Sequence, residues 1–160
     1  MDMLRPLTMR RQGGFSLIEA AYVLPLMLIV ILALVEAVNY ASDRYYLNNA
    51  LTDFYNVVMT EAQARASSPD YDSQLVRCVS GRVQVDENQA GEMLRQMVLN
   101  VTNARSDTLE IVAQKQTLMG IDTYVVDVSM PMQTRFLPSG FAQSFPLSAK
   151  MIISFALSCR

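Results

Sequence analysis

From Ala20 to Val35 the chain runs for sixteen residues without a charge, and the apolar stretch widens to twenty-four positions, Phe15 to Val38, interrupted only by Glu19 and Glu36. An α-helix rises about 1.5 Å per residue, so a run of this length crosses a hydrocarbon layer about 30 Å thick. Beyond Asn39 the pattern turns from continuous to periodic. Leu47, Ala50, Leu51, Phe54, Val58 and Ala62 recur at three- and four-residue steps, with Asn48, Asp53, Asn56 and Glu61 between them. This predicts that the membrane helix continues as an amphipathic helix to about Ala66, ahead of the breaker cluster Ser67, Ser68, Pro69, Asp70. Pro25 removes one ladder hydrogen bond and its ring crowds the preceding turn, so a kink or loosening over Ala21 to Pro25 is expected. A simple kink and a hinge that helps the segment leave the bilayer are both open readings of that proline.

The remaining pattern alternates between period two and period 3.6. Leu75 to Val79 and Val83 to Val85 flank Ser80 and Gly81 and read as a strand-turn-strand. Asn88 to Asn103 carries Ala90, Leu94, Met97, Val98 and Val101 at helical spacing. Thr108 to Gln114, Ile121 to Met130 and Lys150 to Ser158 read as strands, the last with Met151, Ile153, Phe155 and Leu157 on one face. The expected class is therefore α+β: a long N-terminal transmembrane helix continuing into a small domain with a second helix and an antiparallel sheet. Pro131 to Leu147 gathers Pro131, Pro138, Gly140 and Pro146 around Phe136, Phe141 and Phe145, and reads as a surface loop. Its phenylalanines either fold back onto the sheet, as large apolar side chains usually do, or stand out as partner contacts.

Charge placement gives the apolar run a direction. Arg5, Arg10 and Arg11 precede it, while Glu36, Asp43 and Asp53 mingle with Arg44 beyond it. An excess of arginine on one side keeps that side cytoplasmic, so the N-terminus is expected inside and the bulk of the chain outside. The run is too long, and lacks a small-x-small site at a sensible distance, for a conventional secretory signal. Glu19 is the anomaly, because a carboxylate near mid-bilayer costs about 2.5 to 3.5 kcal/mol. Were the bond between Gly14 and Phe15 cut, the new amine at Phe15 would lie one helical turn from Glu19 and could neutralise it, in the same or a neighbouring subunit.

The sequence Gly14, Phe15, Ser16, Leu17, Ile18, Glu19, behind Arg10 and Arg11, resembles the class III signal of type IV prepilins and pseudopilins. The continuation Glu19, Ala20, Ala21, Tyr22, Val23, Leu24, Pro25, then the aliphatic run closing on Val35, Glu36 and Ala37, is similar to the TadE/TadF minor pseudopilins of tight-adherence (type IVb, Flp-type) pili. Where tight-adherence pilins often carry an aromatic residue directly after the acid, this chain has Ala20 and places Tyr22 two positions later. The match covers the first quarter to third of the chain. It implies a cytoplasmic leader over 1–14, cleavage after Gly14 by a prepilin peptidase, a membrane and amphipathic helix over 15–66, and a periplasmic domain over 67–160. It also implies a minor pilin that takes part in assembling a pilus for surface attachment. The partners so implied are the peptidase, a major pilin and other minor pseudopilins, an inner-membrane platform, an assembly ATPase and membrane lipid. The alternative for the same residues is an ordinary signal anchor: an uncleaved, membrane-tethered periplasmic binding or scaffolding protein that docks through Phe136 to Phe145.

Composition narrows the chemistry. Removing residues 1–14 would take three of the thirteen basic residues and one of the fifteen acidic ones, leaving an acidic chain with no basic patch for phosphate backbones, so nucleic-acid binding is disfavoured. There is no histidine, no GxSxG elbow and no SxxK pair, so a standard hydrolytic triad cannot be built; no enzymatic activity, cofactor, metal or small-molecule substrate is expected. Cys78 and Cys159 would face an oxidising compartment, where a disulfide or two separate thiols are both open. The eleven methionines, among them Met93, Met97 and Met151, read as core filler. Asp70 with Asp72, and Asp86 with Glu87, read as solvated turns, since neither pair matches a calcium loop.

Overall fold

The computed structural model describes residues 13–68, 70–102, 105–118, 121–136, 140 and 145–159, with side chains from Glu19 onward except that of Leu118. Its element order is α1 (Gly13–Ser67), β1 (Val76–Val79), β2 (Arg82–Val85), α2 (Glu87–Val101), β3 (Glu110–Leu118), β4 (Ile121–Pro131) and β5 (Pro146–Phe155). The fold is α+β, as the hydropathy pattern predicts, with two antiparallel sheets in place of the single one expected.

Helix α1 has 55 residues and runs unbroken through Pro25, a rod of about 82 Å at 1.5 Å per residue. Its C-terminal half belongs to the domain core. Leu47, Phe54, Val58 and Ala62 are all at most 1% exposed, and Ala50 and Leu51 lie beside them. The stripe works because side chains three and four apart share one helical face. The helix stops where Ser68 N–H bonds back to Ala64 O at 3.0 Å and Arg65 Nη1 donates to Tyr71 O at 2.8 Å. Ser73 then turns the chain: its hydroxyl donates to Glu61 Oε2 and accepts from Leu75 N and Val76 N.

The β1–β2 ribbon pairs Val76 with Val85 and Val79 with Arg82. Its two turn residues, Ser80 (φ 53°) and Gly81 (φ 75°), both occupy the left-handed region, the requirement of a two-residue turn whose twist matches the strands. Asp86, expected in a solvated turn, instead caps α2. Its Oδ1 accepts from Asn88 N (3.1 Å) and Gln89 N (3.2 Å), while Oδ2 pairs with Arg77 at 2.6 Å. A carboxylate here satisfies amides that have no partner in the first helical turn. Helix α2 then lays Ala90, Leu94 and Val98 into the core at four-residue steps.

Strand β4 is central in the second sheet, between β3 and β5. Tyr124, Val126, Val128 and Met130 are buried at period two, with Ile153 and Leu147 of β5 opposite Tyr124 and Met130. Met93, Met97 and Met151 pack against this core. Both ends of β3 and of β5 differ from the sequence reading, β5 ending at Phe155 instead of Ser158. Strand β5 begins at Pro146, inside the expected loop, because Leu147 pairs with Met130 and is 1% exposed; the two prolines that suggest a loop, Pro131 and Pro146, face each other at the end of the ladder, a strand end being where a missing N–H is tolerated. Strand β3 begins two residues later than expected and extends to Leu118, where Lys115 Nζ reaches Asp122 Oδ2 at 3.1 Å and Thr117 Oγ1 donates to Asp122 Oδ1 at 3.0 Å. The hydrogen bond from Lys115, foremost among the causes, holds the Asp122 carboxyl below the usual carboxylate range, against the opposing effect of burial.

Tyr124 joins the two sheets. Its hydroxyl accepts from Val85 N at 2.9 Å while its ring stacks on Phe155 with centroids 5.9 Å apart. Burial pushes its phenol above the ordinary value. The C-terminus completes the connection, since Val83 N donates to Leu157 O (3.0 Å) and Cys159 N to Gly81 O (3.1 Å), extending the β1–β2 ribbon by a short third segment. Cys78 and Cys159 are disulfide-bonded there, with Cα atoms 6.0 Å apart.

Candidate functional site

The surface that separates this chain from an ordinary small domain is the N-terminal half of α1. From Glu19 to Val35 every described side chain is exposed except Leu32, which is half-buried. Tyr22 is 77% exposed, and Leu24, Leu26, Ile29 and Leu34 are exposed to a similar degree. Contiguous apolar surface on this scale is uncommon on a soluble monomer. The helix is long and apolar enough to cross a membrane, and an all-round apolar surface has no polar face to offer water. Glu19 is exposed within this surface. Gly14 and Phe15, the residues of the expected processing site, lie within the backbone span of α1, and their side chains are outside the described part. Pro25 sits inside the helix, which continues on both sides of it.

The change from exposed rod to packed rod occurs at Glu36, which is 2% exposed. Its Oε1 accepts the backbone N–H of Arg135 at 2.8 Å and that of Phe136 at 2.6 Å. Two amide donors thus converge on one carboxyl oxygen. The acid is thereby covered by the start of the chain that leaves β4. The sequence pattern alone places Glu36 with the acids beyond the span. A signal for its burial is nevertheless present, because Leu32, Glu36 and Tyr40 continue the face of Leu47, Leu51, Phe54, Val58 and Ala62 back toward the N-terminus.

Beside this clamp, α1 and the β4–β5 connection enclose a cleft of about 230 Å³ whose walls include Asn39, Asp43, Tyr46, Gln133 and Arg135. Phe136 is 57% and Phe145 is 53% exposed, and Phe141 lies outside the described residues. The expected Phe136–Phe145 surface is thus represented by its two ends. Phe136 meets α1, because its backbone N–H donates to Glu36. Among the described residues no group of three His, Cys, Asp or Glu side chains converges on a point where a metal could sit, and both cysteines are committed to the disulfide. Comparison of the chain with protein-family models, with curated proteins and with solved structures gives no match.

Proposed function

We propose that the protein is a minor pilin-like assembly subunit, held in the inner membrane by α1 with its N-terminus in the cytoplasm and its domain in the periplasm, and active through contacts instead of catalysis. A prepilin peptidase removes residues 1–14, Phe15 supplies a new amine, and Glu19 pairs with such an amine to set the register of the helix in a fibre. The reading follows from the likeness of Gly14 to Glu36 to TadE/TadF pseudopilins. One structural observation supports it above others: a single continuous helix is core along 47–62 and exposed and apolar along 20–35. Such a helix can exchange lipid neighbours for protein neighbours at small net cost, since both are apolar, while the domain stays folded on its other half.

N-terminal sequencing of the protein purified from its natural host tests the proposal. A chain beginning at Phe15, and a Gly14→Ala variant that migrates at the unprocessed size, are expected. A chain that begins at Met1 refutes processing and leaves a permanent membrane tether as the function.

A further inference from the structure

We propose that Arg135 and Phe136, just after β4, form a second membrane contact, a foot that Glu36 pins at the bilayer surface so that Phe136 enters the interfacial layer of the same leaflet from which α1 emerges. This rests on the reading of α1 as a membrane anchor and adds to it where the domain sits. The sixteen uncharged residues Ala20 to Val35 cover only about 24 Å of a hydrocarbon layer about 30 Å thick. The layer must therefore take in residues at one or both ends of that run, and Glu36 is the first residue past it. Where the layer takes in Glu36, its carboxyl group needs donors and cover. Glu36 has both from the connection: it is 2% exposed, and the amides of Arg135 and Phe136 donate to it. Those two amides consequently lie at the depth of Glu36.

Leu32 supplies an independent mark of depth. It lies one turn closer to the N-terminus on the same face, about 6 Å along the axis, and it alone among residues 19–35 is partly covered. Cover therefore extends past Glu36 into the uncharged run. At the same level the helix exposes Val35 and Val38, 39% and 64% exposed, on faces turned away from Glu36, and Phe136 is itself 57% exposed. This apolar surface is continuous with the anchor, and the one occupant that meets a membrane helix all the way around at that height is the lipid interface. Aromatic rings concentrate at that layer, and Arg135, also exposed, places a guanidinium where phosphates lie.

The chain contains no tryptophan, so single tryptophans report depth without background. Full-length Phe136→Trp, Val30→Trp and Tyr71→Trp variants would be reconstituted in vesicles of phosphatidylethanolamine and phosphatidylglycerol (about 3:1 by moles) carrying lipids brominated either near the headgroup or at mid-chain. Tyr71 is the remote reference: its carbonyl is held by Arg65, 29 residues beyond Glu36, about 44 Å along the helix. Val30→Trp is expected to be quenched most by mid-chain bromine. Phe136→Trp is expected to be quenched several-fold more than Tyr71→Trp, and most by bromine near the headgroup. If Val30→Trp is quenched as expected while Phe136→Trp matches Tyr71→Trp, the foot is refuted and the anchor stands. If Val30→Trp is itself unquenched, the anchor reading fails and the foot with it.

Discussion

Cys78 and Cys159 close a loop across 81 positions, and replacing both with serine should cost the domain a predictable amount. The chain-entropy relation for cross-links gives about 15 cal/mol/K for a loop of roughly 82 residues, or about 4.5 kcal/mol at 25 °C, as an upper figure. The native arrangement survives the loss of the bond in part, because Cys159 N to Gly81 O and Val83 N to Leu157 O still hold the C-terminal segment against β2. Cys159 is 7% exposed, so a serine hydroxyl there adds a desolvation cost of about 1 kcal/mol or more if it finds no partner. A net loss of about 3 to 5.5 kcal/mol is expected, equivalent to a fall in Tm of roughly 10–25 °C for a domain of this size. The assay is thermal unfolding of full-length protein in detergent, followed by circular dichroism, for the wild type with and without reductant and for the double serine variant. Reductant should move the wild type toward the variant and leave the variant unchanged. A variant within about 1 kcal/mol of the oxidised wild type would refute the argument, since the bond would then constrain neither the folded ring nor the unfolded chain.

Two further predictions separate the halves of α1 and the acid limb of stability. Phe54→Ala empties a site that is 1% exposed and should destabilise the domain by about 3 to 5 kcal/mol in urea titration, whereas Leu28→Ala, at a position 59% exposed, should leave the same transition in place; equal losses would show that the apolar half is folded into the domain. Asp122 has its pKa lowered in the folded state, chiefly by the hydrogen bond from Lys115, so its stabilisation is full above the unfolded carboxyl value of about 3.9 and is lost as pH falls through the folded value. Asp122→Asn should therefore flatten the fall in urea midpoint between neutral pH and about pH 3, and an unchanged acid limb would refute the linkage.

The parts of the fold legible in the sequence are those whose signal is local. The stripe from Leu47 to Ala62, the Ser80-Gly81 turn and the Ala90, Leu94, Val98 face each follow from spacing alone, and each stands close to where the pattern places it. The start of strand β5 is hidden because Pro146 and its partner Pro131 suggest a loop, and only the pairing of Leu147 with Met130 turns that segment into ladder. The extension of β3 through Lys115 and Thr117 depends likewise on Asp122 across the hairpin. Asp86 is a helix-capping residue type ahead of the Ala90 periodicity, but its acidic neighbour Glu87 makes the pair read as a solvated turn. Glu36 is the hardest to read. A lone acid at the end of an apolar run looks like the point where a chain meets water, and its burial depends on amides 99 and 100 residues away.

That distance is also why Glu36 bears on function. Along 47–62 the orientation of α1 is fixed by a core that lines one face, so this half cannot change neighbours without unfolding the domain. Along 20–35 exposed apolar side chains surround the helix and only Leu32 is partly covered, so on the proposed function this half can pass between lipid and other helices. The two behaviours must meet at one level of the rod, and a group that is costly in lipid and satisfied only by the domain makes that boundary sharp. Moving Glu36 one turn deeper would carry its amide donors and the domain with it or leave a charge in hydrocarbon. Moving it one turn outward would expose Val35 and Val38 to water. On the proposed function, Glu36 would therefore set the height of the domain above the bilayer, and an assembly that draws the helix out of lipid would have to give Glu36 and its two amides a similar enclosure among protein neighbours.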